Sequence, residues 1–371
     1  MLARTLRAAG ASTTSPAAAA AQQQLRTACS SSSHPSRGPE TLPSSPIRVL
    51  RTVSALRHWR RPHVLNYRSV GLVPTMGALH EGHLSLIRAA ARENHHVVVS
   101  IYVNPAQFGI AEDLASYPVT WARDSEILRN LDRELAGDGD MLGRVSAVFA
   151  PTTGEMYPSG FPGQEVSSKG SFVTITPVGE VLEGASRPTF FRGVATVCMK
   201  LFNIVQPERV YFGQKDVQQT VVIRRMVEDF MLPMDVVIGE TTRADDGLAL
   251  SSRNVYLGER RRKVATVLNR ALKAAEEKYQ QSGALDRETI LGAANQLAPK
   301  DRVLFEVDYI SLADPDTMQE IDTVVPTKGG ILSGAVKMLP VEEPQPGEDL
   351  GHNDGPAVRL IDNIILKPNT Q

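Results

Sequence analysis

Gly71-Leu-Val-Pro-Thr-Met-Gly-Ala-Leu-His-Glu-Gly-His83 decides how the rest of the chain is read. Val70, Leu72 and Val73 form an apolar strand end that runs into a Pro/Gly turn, and the turn opens a helix reaching about Glu93. The first turn of a helix leaves backbone N–H groups unpaired and carries partial positive charge, so it readily receives phosphate. His80 and His83, three residues apart, share one helical face and point together at an anion held there. Gly77 and Gly82 let that anion approach the backbone closely. A zinc site would instead prefer histidines at i,i+4 with a glutamate between them, whereas here the spacing is three, with Glu81 next to the first histidine. The arrangement suits a nucleotide triphosphate.

Outward from this stretch, helix and strand patterns alternate. Strands are predicted at 70–73, 97–103, 145–150, 209–212 and 234–240, with helices at 83–93, 121–135, 193–205 and 216–230. Short Val/Ile-rich strands between helices signal a buried, doubly wound parallel sheet of the α/β class. Ligands of such sheets sit beyond the carboxyl ends of the strands. The polar motifs lie there: Pro74–His83, Asn104-Pro-Ala-Gln-Phe108, Gly213-Gln-Lys-Asp216 and Leu250-Ser-Ser-Arg253. Past Leu257 the pattern changes to a charged helix at 259–281, a second at 286–298, and strands at 304–312, 330–339 and 357–366. This predicts a smaller α+β domain, with 341–356 as a surface loop rich in acids, Pro and Gly. The division expected is a leader at 1–46, a Rossmann-like domain at 47–250 and a C-terminal domain at 251–371.

Composition is ordinarily globular. The 371 residues exceed the usual single core, 42% are hydrophobic, and no apolar run approaches the 18 or so needed to span a bilayer. The net charge of −1 gives no general reason to bind nucleic acid or an acidic membrane. Cys29 and Cys198 alone exclude a disulfide framework and point to a reducing compartment, and Cys198, among Val197, Met199 and Leu201, reads as core. Residues 1–39 carry Arg4, Arg7, Arg26 and Arg37, no acid, and Ala, Gln and Ser tracts. Such a leader is expected to be a mitochondrial transit peptide, with a disordered tail on a cytoplasmic protein as the alternative.

Several residues carry a chemical and a plain reading side by side. Lys215, after a glycine turn at a strand end, delivers a point charge to a phosphate. Asp216 caps the next helix, or orients Lys215 or a ribose. Ser251, Ser252 and Arg253 wrap a polyphosphate, though serine and arginine are ordinary in loops. Gln107 hydrogen-bonds a hydroxyl or carboxylate without adding charge, or caps its turn. Gln219 lies one helical turn past Lys215, either facing the same ligand or simply solvated.

Taken in order, six blocks resemble the signatures of the pantothenate synthetase (pantoate–β-alanine ligase) family in its eukaryotic form. They are Pro74–His83, Val103–Phe108, Glu183-Gly-Ala-Ser-Arg-Pro188, Phe191-Arg-Gly-Val194, Phe212-Gly-Gln-Lys-Asp-Val-Gln-Gln219 and Asp246–Asn254, within a similarity running from about 47 to 367. The resemblance implies a nucleotidyltransferase-type Rossmann domain, a C-terminal lid, Mg²⁺ dependence and a homodimer. It assigns ATP to Met76, Gly77, Ala78, Leu79, His80, Glu81, Gly82 and His83, to Gly213, Gln214, Lys215 and Asp216, and to Leu250, Ser251, Ser252 and Arg253. His83 is the implied proton donor, with His80, Lys215 and Arg253 beside it in catalysis. Gln107 is implied for pantoate and β-alanine, and Gln219 for pantoate. It names no Mg²⁺ ligand.

Gln214 stands for the more usual glutamate, Phe190 for a histidine and Val119 for an arginine, while 136–144 and 341–356 are longer than the family core. The implied reaction forms a pantoyl adenylate that the β-alanine amine then attacks. The imidazoles, Lys215 and Arg253 are expected to supply donors and positive charge to it. A related nucleotidyltransferase with a stable nucleotide-linked product, or a non-catalytic relative, are the competing readings. Loss of His83 or Lys215 would have favoured the latter, and both are present.

Overall fold

A computed structural model describes residues 41–109, 114, 117–296 and 304–368. Of the leader expected at 1–46, residues 1–40 lie outside the described residues, whereas Leu42 is buried in the core.

A six-stranded parallel sheet in the order β1-β4-β3-β2-β5-β6 forms the larger part of the fold. Its strands are β1 (Arg48–Leu50), β2 (Val70–Thr75), β3 (His96–Ile101), β4 (Arg144–Phe149), β5 (Arg209–Gly213) and β6 (Asp235–Gly239). Helices α1 (Val53–Leu65), α2 (Glu81–Glu93), α3 (Trp121–Gly137), α4 (Phe190–Val205) and α5 (Val217–Asp229) cover both faces. Because both faces are covered, the strands can be continuously apolar: Val97, Val98 and Val99 are all fully buried. Leu72, Val98, Phe149 and Val210 belong to the core under one face, and Val73, Val97, Val99 and Val148 to the core under the other. The predicted doubly wound sheet is present, with the predicted strands displaced by no more than two residues at their ends.

The sequence reading did not include β1 or α1. Helix α1 mixes apolar and basic residues (Val-Ser-Ala-Leu-Arg-His-Trp-Arg-Arg-Pro-His-Val-Leu), and it buries Leu56 together with the arginine Arg60. The Arg60 guanidinium donates to Val205 O, Gln206 O and the Glu208 carboxylate, the last at 2.6 Å. Val53, Leu56 and Trp59 form a short apolar stripe against the core, and the buried cation Arg60 continues it.

The remainder forms an antiparallel sheet, β7 (Phe305–Ala313), β8 (Gly330–Met338) and β9 (Val358–Leu366), in that order. Its core is shared with α6 (Gly258–Val264), α7 (Val267–Ser282) and α8 (Arg287–Asn295). The single helix predicted at 259–281 is broken: Ala265 N–H reaches back three residues to Arg262 O, a 3₁₀-type turn that ends α6. The stretch 341–356 is the irregular surface segment predicted. It is held down by Arg260 on Glu348 at 2.6 Å and by fully buried Arg261, which donates to Leu350 O and Pro356 O. The two sheets meet where the Glu183 carboxylate accepts from Arg359 (Nη2, 2.7 Å) and from the Tyr309 hydroxyl (2.9 Å).

One contact fixes the turn that carries Gln107. Gly193 of α4 lies so close to it that an added Cβ would stand 2.1 Å from Ala106 O and 2.6 Å from Gln107 N. Both are backbone atoms, so the turn or the helix must move. Gly193→Ala is expected to destabilise the protein by about 1–3 kcal/mol in denaturant unfolding. An unchanged midpoint would contradict this packing.

Candidate active site

Strand β2 lies between β3 and β5, the point where the winding reverses, and such switch points open a crevice at the strand ends. The β2–β5 ladder runs through Gly71↔Arg209 and Leu72↔Val210, then parts. Two loops flank the opening, one after Thr75 and one after Gly213.

The first loop is pinned from below. Thr75 Oγ1 donates to Ser100 O at 2.7 Å and accepts from Gly77 N–H. Gly77 and Ala78 take positive φ (87° and 50°), which turns the chain sharply. The N–H groups of Ala78 and Leu79 then donate to the buried Asp124 carboxylate at 3.0 and 2.9 Å, and Thr120 donates to the same group. Asp124, from the first turn of α3, is a residue that sequence reasoning missed. It sits 45 positions from Leu79 and no local spacing announces it.

The helix begins differently from expectation. His80 is the N-cap, and its Nδ1 accepts from Gly82 N–H at 3.2 Å, while His83 Nδ1 faces His80 N–H at 3.4 Å. The rings lie 4.1 Å apart. A Cβ on Gly82 would fall 2.9 Å from the His80 ring, so glycine is what lets the imidazole fold back over the turn. The N–H of Gly82 is therefore taken by an imidazole rather than left for phosphate. With both Nδ1 atoms accepting, each ring carries its proton on Nε2. Burial, then the nearby Lys215, lowers His80 to about 4; burial, then His80 and Lys215, lowers His83 to about 3. The two imidazoles are thus neutral donors near neutral pH. The expectation that they supply positive charge is corrected, and the charge comes from Lys215 and Arg253.

Lys215 rises from the 3₁₀ turn Gln214–Asp216 after β5, with Nζ 3.6 Å from Asp216 Oδ1. Arg253 follows Ser251, whose hydroxyl caps the 3₁₀ turn Ser252–Tyr256 by accepting from Arg253 N–H at 3.2 Å. Gln107 is held by Asn104, whose Nδ2 donates to Gln107 Oε1 at 3.1 Å and whose Oδ1 accepts from the Tyr157 hydroxyl at 2.7 Å. Met76, His80, Gly82, His83, Gln107, Gly213, Lys215, Asp216, Gln219, Leu250, Ser251, Ser252 and Arg253 all line one chamber of about 210 Å³. A second chamber of about 500 Å³ lies towards the antiparallel sheet and shares Lys215, Gln219 and Arg253 with the first.

Gly77, Ala78, Leu79, Glu81 and Gln214 do not line either chamber. The first three form the pinned turn beneath it. Glu81 pairs instead with Arg88 at the surface, and Gln214 turns to Asn363 at 3.2 Å. Of the departures from the family, Phe190 lies 3.9 Å under the guanidinium of Arg187, which lines both chambers, and Val119 is exposed. Cys198 is buried, and burial pushes its thiol up to about 12. Among the described residues no three His, Cys, Asp or Glu side chains gather as a metal site.

The family model described as Pantoate-beta-alanine ligase matches residues 48–365. The chain is 43% identical over 318 residues to a pantothenate synthetase of Roseiflexus castenholzii, covering 86% of this chain and all of the relative. A crystal structure of pantoate-beta-alanine (pantothenate synthetase) from Thermus thermophilus superposes with a TM-score of 0.68 at 40% identity, covering 86% of this chain and 99% of that one. The pantoate-beta-alanine ligase of Francisella tularensis, complexed with beta-gamma ATP and beta-alanine, superposes at 0.57 with 28% identity, covering 86% and 97%. With a match spanning nearly all of its described length, the chain belongs to the pantoate-beta-alanine ligase family.

Proposed function

We propose that the chain condenses pantoate with β-alanine at the expense of ATP, giving pantothenate, AMP and pyrophosphate, and that the first chamber is where the adenylate forms. The observation that carries this is the convergence of two Nε2–H donors, one ammonium and one guanidinium on a cavity that also holds two neutral glutamines. The pantoate carboxylate attacks the α-phosphorus and pyrophosphate leaves. The neutral β-alanine amine then attacks the acyl carbon, and AMP leaves with the carbonyl–oxygen bond broken.

In the first step negative charge grows on phosphorus and on the departing pyrophosphate, so stabilisers already in place do most of the work. Lys215 and Arg253 supply full charges there. His80 and His83 supply N–H dipoles at the N-terminus of α2 without the mutual repulsion that two imidazoliums would bring. Gln107, fixed by Asn104, and Gln219 hold pantoate while leaving its carboxylate free to attack. Asp216 and Glu240 are carboxylates on the chamber wall, a donor set that suits Mg²⁺, which takes one or two carboxylates plus phosphate oxygens and water. When bound, Mg²⁺ neutralises part of the phosphate charge. A homodimer accompanies this reading through the family.

The direct assay is AMP release requiring both pantoate and β-alanine; a nucleotide-linked product that persists would point instead to the related nucleotidyltransferase. Lys215→Ala is expected to slow pantoate-dependent ATP–pyrophosphate exchange by about 10²–10³, the effect of losing about 2–4 kcal/mol of transition-state stabilisation. Near-normal exchange in that variant would contradict the role of Lys215.

The pH dependence separates the half-reactions. Because His80 and His83 lie at about 4 and about 3, kcat/KM for exchange should show no acid limb near 6.5. The overall reaction at low β-alanine should climb about tenfold per pH unit from 7 towards 9, since an amine of pKa near 10 is neutral in about one molecule in 10³ at pH 7. An exchange limb at 6.5 that vanishes in His80→Gln would overturn the neutral-imidazole account.

A further inference from the structure

The last strand of the antiparallel sheet reaches both loops that carry the cations. Asn363 of β9 is almost wholly buried, and its Nδ2 donates to two main-chain carbonyls at once, Gln214 O and Lys215 O, each at 2.9 Å. Its Oδ1 accepts from Gln214 Nε2 at 3.2 Å, so the amide of Asn363 is fully engaged. The neighbouring Asp362 is buried as well. Its two oxygens receive the Arg243 guanidinium at 2.6 and 2.8 Å, and Asn269 Nδ2 at 3.3 Å. Arg243 starts the short hairpin that leads to Ser251–Arg253: it bridges to Ala249, donates to Gly247 O at 3.1 Å, and Leu250 N–H returns to Thr242 O.

Successive residues of a strand project to opposite faces, which lets two adjacent side chains grip two different loops. β9 is the last strand in the order β7-β8-β9. Carbonyls can only accept, so the residue that ties Gln214 O and Lys215 O together must bring a donor with two hydrogens. An asparagine amide does so without charge.

We propose that Asn363 is a positioning residue for Lys215, fixing the height of the lysine turn over the chamber, and that Asp362 does the same for the Arg253 loop through Arg243. The spacing between the two cations is then set by a dipeptide on the wall of the second chamber that does not line the first. Gln214 completes the arrangement: in this chain its amide nitrogen meets Asn363 Oδ1, where a glutamate would bring an acceptor. The inference rests on the ligase reading above.

The test uses the full chain with the variants N363A, N363S and N363D, measuring kcat and KM in pantoate-dependent ATP–pyrophosphate exchange, alongside thermal unfolding. Displacement of a catalytic group by about 1 Å costs on the order of 10²-fold, so N363A should lose about that much kcat while KM for pantoate stays near wild type. N363S, whose hydroxyl donates to one carbonyl, should fall between. N363D places a carboxylate against the two carbonyls, with Asp362 and Asp216 on the wall of the same chamber and Lys215, Arg253 and the Arg243 paired with Asp362 to offset it. It should be slower than N363A at pH 8 and recover relative to N363A towards pH 6, as the introduced carboxyl gains a proton to donate.

If N363A does not fold, N363S against N363D makes the same comparison. Near wild-type kcat in the folded variants, or an N363D rate parallel to the asparagine-to-alanine or asparagine-to-serine variant at every pH, overturns the proposal. A wild-type chain without exchange activity sinks the ligase reading instead.

Discussion

Strand β2 pairs with β5 over two residues and then leaves it. The candidate site is arranged around that parting. On the β2 side the chain must turn at once into α2, and on the β5 side it must turn into α5. Both turns therefore deliver their polar residues to one opening. The positive φ at Gly77 and Ala78 and the Asp124 carboxylate beneath them hold the first turn in place. Asn363 grips the second. A site this close to a sheet's switch point inherits its rigidity from the buried strands below.

The electrostatics follow from the capping of α2. Two imidazoles at a helix start would ordinarily be read as cations for phosphate. Here each spends Nδ1 on the backbone, sits in a buried place and faces Lys215, and all three effects favour the neutral ring. The division of labour is economical in charge. Two side chains carry it, and the two imidazoles and two glutamines present dipoles without net charge. A carboxylate nucleophile can then lie among donors without being neutralised by one of them.

Much of the fold and of this site was legible along the chain. Strands that are buried on both faces appear as unbroken runs such as Val97-Val-Val99, and the polar motifs that follow them fall at the ligand end of the sheet by topology alone. Helix α1 was missed because its apolar stripe of Val53, Leu56 and Trp59 is short, lies among basic residues and is continued by the buried, charged Arg60. Nor were Asp124 and Asn363. Each acts through main-chain groups far away in sequence, and a donor to a carbonyl leaves no mark on the residue that owns the carbonyl. Glu81 illustrates the opposite error: its place inside a motif suggested the nucleotide, but the helix turns it outward to Arg88. The protonation of His80 and His83 likewise depends on burial, which spacing cannot give.

A structure of the full chain with a non-hydrolysable ATP analogue tests the central claim most directly. The triphosphate should lie across the parting of β2 and β5, with Lys215 Nζ, the Arg253 guanidinium and both imidazole Nε2 atoms within hydrogen-bonding distance of its oxygens. A triphosphate bound elsewhere, or one that meets the imidazoles while Lys215 and Arg253 stay beyond reach, would contradict the account.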